Sequence, residues 1–543
     1  MNIYYTTSVP KWIEPSIVLL PDHYGKNTSY LWDDYDYKTT FRAFIVSKNE
    51  SFDLGFVKIL FNGHKNSHQF IKENYDEVEA SCFKITEMDK IEAVSLGTDI
   101  EYYKRISKYF DNADDASNFL SMILDASYLH EQLDEFNTWP GFSLSLLRNS
   151  SASANLTKGY AIATNNYIPL SEFSFSADTP CSQSIHFHFS QNEQLSGNIN
   201  IVIGKNGFGK TKTLHNIANN FTGLNKDSVK WPYFNKLIVV SFSPFESFYT
   251  KKELKVALSS NSKNPRTKFI NEYSYVGIKS DSKNDPINLD SLSRRSVVAY
   301  IDALIYDKEN FWWVDDDQSS KESLILSTLK QAMDFKEIAV KHKDGHYLYS
   351  IDLVKLLRTH NKDQIKEIIN ADKGLIFLDE KNEEKNLSSG QKIYSLFTPS
   401  IISEIKEESL ILIDEPELYL HPELEVGLMS MLKSILKETN SYSVIATHSS
   451  IIAREVKREH VNIFKKNNVI LKPEIETFGN SLDEITGYVF DDYNTNKPYE
   501  ELIDSLLSNY GSIDDAIKDL SSKVGDSALT YLYELKSKAI SHD

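Results

Sequence analysis

The chain has 543 residues, 41% hydrophobic and 25% charged, with a formal net charge of −18. That length predicts several domains, and that charge excludes a molecule whose overall field draws it to nucleic acid. Only two cysteines occur, Cys82 and Cys181, which argues against a disulfide framework or a thiolate zinc site and fits a reducing cytoplasm. The first residues lack a basic-then-apolar signal pattern, and no apolar run nears the ~20 residues that span a bilayer, so a cytoplasmic chain with no membrane part is expected.

Residues 1–170 hold 15 basic and 23 acidic side chains. They mix strand patterns, Phe41 to Val46 and Phe56 to Phe61, with helical patterns around 100–135. Ser150 to Asn155 is small and polar and predicts a loop at a domain boundary. Ser184 to Phe189 alternates apolar and polar residues as a half-buried strand does, and a second strand, Ile199 to Ile203, runs into a glycine-rich loop. A helix is predicted over Leu214 to Asn220 and a strand over Leu237 to Val240. The lysines from Lys251 to Lys268 read as a solvated face in preference to a nucleic-acid contact. Residues 270–375 read as mostly helical, most clearly Ser323 to Met333 and Leu353 to Ile369, without a heptad pattern. Strands follow at Leu410 to Ile413 and Val444 to Ala446, and the chain after 480 is helical, with 5 basic and 13 acidic residues over 481–543.

Gly204-Lys205-Asn206-Gly207-Phe208-Gly209-Lys210-Thr211 lies between a predicted strand and a predicted helix, the context in which a phosphate-binding loop has meaning. Its glycines let backbone N–H groups turn toward phosphate oxygens at a helix N-terminus. Lys210 would reach the terminal phosphates of ATP and Thr211 would give a hydroxyl to Mg²⁺. Leu410-Ile411-Leu412-Ile413-Asp414-Glu415-Pro416 ends a fully apolar strand in two carboxylates, at the edge where open α/β sheets bind ligands. Asp414 would hold Mg²⁺ through water, and Glu415 would polarise the attacking water. His448 follows the third strand and fits a residue that senses the γ-phosphate. The plainer readings are a turn that binds nothing, two solvated carboxylates and a locally satisfied histidine; their joint occurrence favours the nucleotide site.

These motifs, with Leu387-Ser388-Ser389-Gly390-Gln391 between them, resemble the heads of ABC-type ATPases. The resemblance covers roughly residues 170–250 and 375–460. It implies that Ser388, Ser389, Gly390 and Gln391 close over the ATP of a partner subunit in a head-to-tail homodimer, or in a dimer of dimers. Pro416-Glu417 through Leu420-His421-Pro422 is similar to the non-transporter branch of Rad50, RecF, OLD-type nucleases and bacterial defence ATPases. Flanking segments resemble the PtuA family of Septu and retron anti-phage systems: Leu31 to Phe41, Glu101-Tyr102-Tyr103, Ser241 to Phe245, and Phe478 to Ile485. That resemblance implies an ATPase that holds an HNH nuclease partner silent, joined in retrons by a reverse transcriptase with its RNA–DNA product.

The expected architecture is α/β: an ABC-type P-loop ATPase head over 171–270 and 375–480. A mixed N-terminal domain, 1–170, is fused to it; a helical insertion spans 270–375 and an acidic helical tail 481–543. One departure concerns the magnesium shell, because no glutamine occurs between Thr211 and Gln318 where ABC heads place one. Ser241, Ser243 or water would take its place, and slow hydrolysis is expected. Two rival readings are an OLD-type nuclease, for which Asp491-Asp492 is the best C-terminal metal pair, and a Rad50- or RecF-like DNA-repair ATPase.

Overall fold

The computed structural model describes residues 1–7, 15–22, 36–47, 50–86, 88, 92–148, 152–169, 171–179, 183–191, 195–224, 234–243, 246–260, 272–279, 289–310, 320–357, 359–360, 362–466, 469–490 and 497–541. Leu31 to Tyr35, Cys181, Pro244-Phe245, Gln318 and Asp491-Asp492, singled out above, lie outside these residues, as do residues 261–268 of the Lys251 to Lys268 stretch. The chain forms two compact units, Met1–Gly479 and Asn480–Asp543.

The first unit begins with a seven-stranded mixed sheet: β1 (Asn2–Tyr5), β2 (Ser16–Pro21), β3 (Thr40–Ser47), β4 (Glu50–Phe61), β5 (Glu77–Glu79), β6 (Cys82–Ile85) and β7 (Ala93–Gly97), in the order β5-β6-β1-β2-β3-β4-β7. Helices Ile100–Tyr109 and Ala113–Met122 cover it, burying Tyr102, Tyr103, Ile106, Phe119 and Leu120 in one core with Phe41, Val57 and Ile59. Of the loop expected at 150–155, Ser150 and Ser151 lie outside the described residues, and from Ala152 onward a helix, Ala152–Ala163, stands in its place. Its small polar residues are neutral for helix formation, and tertiary contacts decide the outcome. Lys158 on this helix is buried against Glu408, Nζ to Oε2 2.6 Å, and Tyr167 donates its hydroxyl to the same carboxylate.

The hairpin of β8 (Glu172–Asp178) and β9 (Ser184–Ser190) buries Phe175, Phe187 and Phe189 and leads into the second large sheet. That sheet contains β10 (Ile199–Gly204), β11 (Lys236–Ser241), β12 (Tyr273–Gly277), and, after β13 (Glu337–Lys341), β14 (Tyr347–Tyr349) and β15 (Leu375–Leu378), the strands β16 (Ser409–Asp414), β17 (Tyr442–Thr447), β18 (Val461–Phe464) and β19 (Ile470–Leu471). Its order is β12-β11-β16-β17-β10-β18-β19, with every pairing parallel except the last. Strand β16 is buried throughout, as its unbroken apolar run requires in a sheet covered on both faces. Shortening Leu412 to Ala there removes packing on every side and costs about 2–5 kcal/mol. Helix Lys210–Thr222 packs on the sheet through Leu214, Ile217, Ala218 and Phe221, the spacing of one helical face.

Residues 270–375 differ from the helical expectation. Helices Leu289–Asn310, Lys321–Ala332, Ser350–Leu356 and Lys362–Ile368 are present. However, β12 joins the central sheet, and β13, β14 and β15 form a separate antiparallel sheet in the order β14-β13-β15. These strands are only three to five residues long, too short for periodicity to separate them from helix. The second unit carries helices Leu482–Phe490, Pro498–Leu507, Ile513–Leu520 and Asp526–Ser541, with a core of Ile503, Ala516, Ile517, Leu520 and Leu532. Among the described residues, no helix is long and apolar enough to cross a membrane.

Candidate functional site

Parallel register gathers the motif residues at one sheet edge. Ser241 lies opposite Asp414, Asp414 opposite Ala446, and Ile203 opposite Thr447. The C-terminal ends of β11, β16, β17 and β10 therefore open together, and residues separated by about two hundred positions in sequence become neighbours. Strand β17, which ends at Thr447 just before His448, lies between the strand of the phosphate loop and the strand of the carboxylates.

The loop turns on Gly207 and Gly209, whose φ angles of +83° and +94° are ones other residues rarely adopt. Lys210 is buried, and its ammonium donates to the carbonyls of Gly204 (2.8 Å) and Lys205 (3.3 Å). Burial lowers its pKa, against the pull of Glu415, Glu417 and Asp414. Asn206 is exposed, and Phe208 is half-buried against the core beneath the loop. Thr211 donates its hydroxyl to Asp414 Oδ1 at 2.9 Å. Burial pushes the Asp414 carboxyl up to about 7, the Thr211 bond lowers it and Glu415 adds to the rise. The Thr211 hydroxyl and the Asp414 carboxylate thus bring oxygen ligands together at the sheet edge, the donor type that suits Mg²⁺ on a nucleotide. Ser241 stands beside Asp414 in the ladder with its buried hydroxyl unpartnered among the described residues. Ser243, the other serine near the place of the missing glutamine, is half-buried.

Glu415 is held in the left-handed region, φ +47° and ψ +57°, an uncommon conformation for a non-glycine residue and disfavoured before Pro416. Its amide donates to Ala446 O at 2.8 Å, which ties this strained residue to β17. His448 Nδ1 lies 3.8 Å from Glu415 Oε1 and 3.3 Å from Glu417 Oε1. The structure adds two carboxylates that the sequence reading left without roles. Glu417 Oε1 accepts from the Thr447 hydroxyl (2.7 Å) and the His448 amide (2.6 Å), and Glu425 accepts from the Ser449 hydroxyl. The available signal was an acidic residue, Glu417, repeated two positions after Glu415 beside a proline turn.

The run at 387–391 builds the start of helix Ser389–Glu404. Ser388 Oγ accepts from the Gln391 amide, and Gln391 Oε1 accepts from the Ser388 amide, a reciprocal capping box. Gln391 Nε2 also donates to Ala332 O at 3.3 Å, so this side chain is engaged within its own chain. Ser388 and Ser389 are exposed. A Cβ on Gly390 would stand 3.0 Å from Tyr419 O and 3.1 Å from Leu424 Cδ1, so the glycine lets this helix approach the segment that follows the carboxylates. Among the described residues, no hydrogen bond joins 388–391 to 204–211 of the same chain.

Residues 199–454 match the family described as "AAA domain, putative AbiEii toxin, Type IV TA system". The chain is 27% identical over 543 residues to "Protein ea59" of Escherichia phage lambda, covering 93% of this chain and 94% of that protein. Among solved structures, it is similar to an SMC head bound to the C-winged helix domain of ScpA, at 12% identity over 56% of this chain and 97% of that one, with a TM-score of 0.28. It is also similar to an ATP-binding cassette of an ABC transporter in its ADP conformation, at 13% identity over 60% of this chain and 96% of that one, with a TM-score of 0.27. These scores are low, and the strand order and phosphate loop described above carry the fold assignment. The chain is a mixed α/β protein with a P-loop ATPase domain over residues 199–454.

Proposed function

We propose that the chain is an ATP-hydrolysing switch subunit of an anti-phage defence complex, acting on an HNH nuclease supplied by another chain. The observation that carries the ATPase part is the Thr211–Asp414 hydrogen bond, which joins the phosphate loop to the carboxylate strand at the open sheet edge. Mg²⁺, when bound, supplies positive charge to the phosphate oxygens. Lys210 leaves its loop carbonyls for the terminal phosphates, Thr211 and Asp414 hold the ion's shell, and the amides of Asn206, Gly207, Phe208 and Gly209 cradle the phosphate chain. Glu415 takes the proton of the attacking water, and His448, fixed from behind by Glu417, orients that water toward the γ-phosphate. Slow turnover is expected, because Ser241, Ser243 or water stands where ABC heads place a glutamine.

The signature residues act in a head-to-tail homodimer, where exposed Ser388 and the amides near Gly390 meet the partner's γ-phosphate. ATP then favours the closed dimer by its differential contacts, and hydrolysis releases it. The defence role is supported by the flanking segments similar to the PtuA family and by the family description, which names a toxin of a toxin–antitoxin system. In a retron setting, a reverse transcriptase and its RNA–DNA product complete the assembly.

The test is Glu415→Gln, expected to lower turnover by about 10²–10⁴-fold and leave ATP-bound dimers. A variant that neither binds ATP nor dimerises overturns the assignment. Affinity purification from the native host is expected to recover an HNH protein. Metal-dependent nicking of DNA by the chain alone supports the OLD-type reading instead, and DNA-stimulated hydrolysis without a nuclease partner supports the Rad50- or RecF-like one.

A further inference from the structure

The turn between β13 and β14 has no part in the nucleotide chemistry, and it brings three metal-binding side chains together. His342 and His346 face each other across the hairpin: the His342 amide donates to His346 O at 2.9 Å, and their rings stack with centroids 4.3 Å apart. Gly345, at φ +98°, closes the turn through its amide on His342 O. Asp344 at the tip places Oδ2 3.3 Å from His342 Nδ1. One ligand atom from each of His342, Asp344 and His346 lies within 4.8 Å of the others.

We propose that His342, Asp344 and His346 form a site for a divalent transition-metal ion, with Zn²⁺ as the expected occupant. Two imidazoles and one carboxylate match the borderline donor preference of Zn²⁺ and leave a position for water. The same set is a poor host for Mg²⁺ or Ca²⁺, which take oxygen ligands. The short hairpin fixes the separation of the two histidine backbones, so binding orders few new dihedrals. Both rings must rotate out of their stack to aim their nitrogens at one ion, a change available at a solvent-facing turn; His346 and Asp344 are exposed and His342 is half-buried.

The hairpin also reaches the segment that leads into the signature run. Lys341, next to His342, and Tyr347, next to His346, both donate to Glu384 Oε1, at 3.0 Å and 2.7 Å. Glu384 pairs with Leu378 beside β15, and Lys385 donates its amide to Phe377 O, two residues before Leu387. An ion at the turn therefore braces the strand pair that anchors the approach to Ser388.

The experiment is Zn²⁺ titration by calorimetry of the EDTA-treated full chain, without a polyhistidine tag and in excess Mg²⁺. The native chain and Asp414→Asn are expected to take up one Zn²⁺ per chain at this site with equal affinity. His346→Ala and Asp344→Asn are expected to bind at least ~10-fold more weakly. Co²⁺ should give visible ligand-field bands in the native chain that His346→Ala lacks. Both substitutions alter exposed side chains, so circular dichroism is expected to be unchanged. Equal Zn²⁺ affinity in native and His346→Ala proteins, or uptake abolished by Asp414→Asn, overturns the proposal.

Discussion

Glu417 and His448 are joined from the backbone side: the His448 amide donates to Glu417 Oε1 at 2.6 Å, and the imidazole Nδ1 lies 3.3 Å from the same oxygen. The carboxylate, with a side chain only 6% exposed, also receives the Thr447 hydroxyl. One acidic residue from the turn after β16 thus sets the direction in which His448, just past β17, is presented. Glu417→Ala should leave the His448 amide without an acceptor, destabilise the chain by about 1–3 kcal/mol and lower kcat more than it changes KM for ATP. Glu417→Gln keeps an acceptor oxygen and should recover part of kcat. Steady-state kinetics and urea unfolding of both variants check this; equal kcat losses in the two would point to the negative charge in place of the hydrogen bonds.

The head-to-tail reading makes a mixing prediction. Lys210→Ala alone and Ser388→Arg alone should each lose turnover. Mixed in equal amounts, they should regain activity, because half of the sites in a mixed dimer pair an intact Lys210 with an intact Ser388 from the other chain. Phosphate release measured across mixing ratios checks it, and no recovery at any ratio would show that Ser388 acts within its own chain or only as a helix cap. The cap itself is worth about 1 kcal/mol, which a melting curve of Ser388→Ala reads separately.

Lys158 and Glu408, each 6% exposed at the side chain, form a buried ion pair between the helix after the N-terminal sheet and the residue before β16. Removing one partner strands the other charge out of water. Lys158→Met should therefore cost about 3–5 kcal/mol, and the double variant Lys158→Met, Glu408→Gln should recover part of that loss. Thermal melts of the single and double variants decide it.

Asp125 gives a pH prediction. It is fully buried and accepts from Tyr103 Oη (3.0 Å), the Ser127 amide (2.9 Å) and the Ser127 hydroxyl (2.5 Å), yet burial pushes its carboxyl up to about 6. The folded state holds this proton more tightly than the unfolded chain, where the carboxyl titrates near 4. Its stabilising contribution is complete below about pH 4 and is lost as pH rises through about 6, on the order of 3 kcal/mol in all. Asp125→Asn cannot ionise and lacks this slope. Unfolding free energies at pH 4.5 and 7 should show the native chain losing stability relative to the variant as pH rises; a constant difference at the two pH values would refute it.

By itself, the sequence determined the phosphate loop and its two flanking elements, because Gly207, Gly209 and Lys210 act through local backbone geometry that their spacing encodes. It also determined β16, since four apolar residues ending in Asp414-Glu415 leave few alternatives to a buried parallel strand. Only the tertiary structure decided which strand lies between β10 and β16, because strand order is set by packing across hundreds of residues. It alone gave Glu417 and Gly390 their places, one by a bond to β17 and the other by a close approach to Tyr419. The short strands β13, β14 and β15 likewise needed their partners to exist. A strand of three to five residues has too few positions to show a period, and its backbone hydrogen bonds are satisfied only when the neighbouring strands are in place.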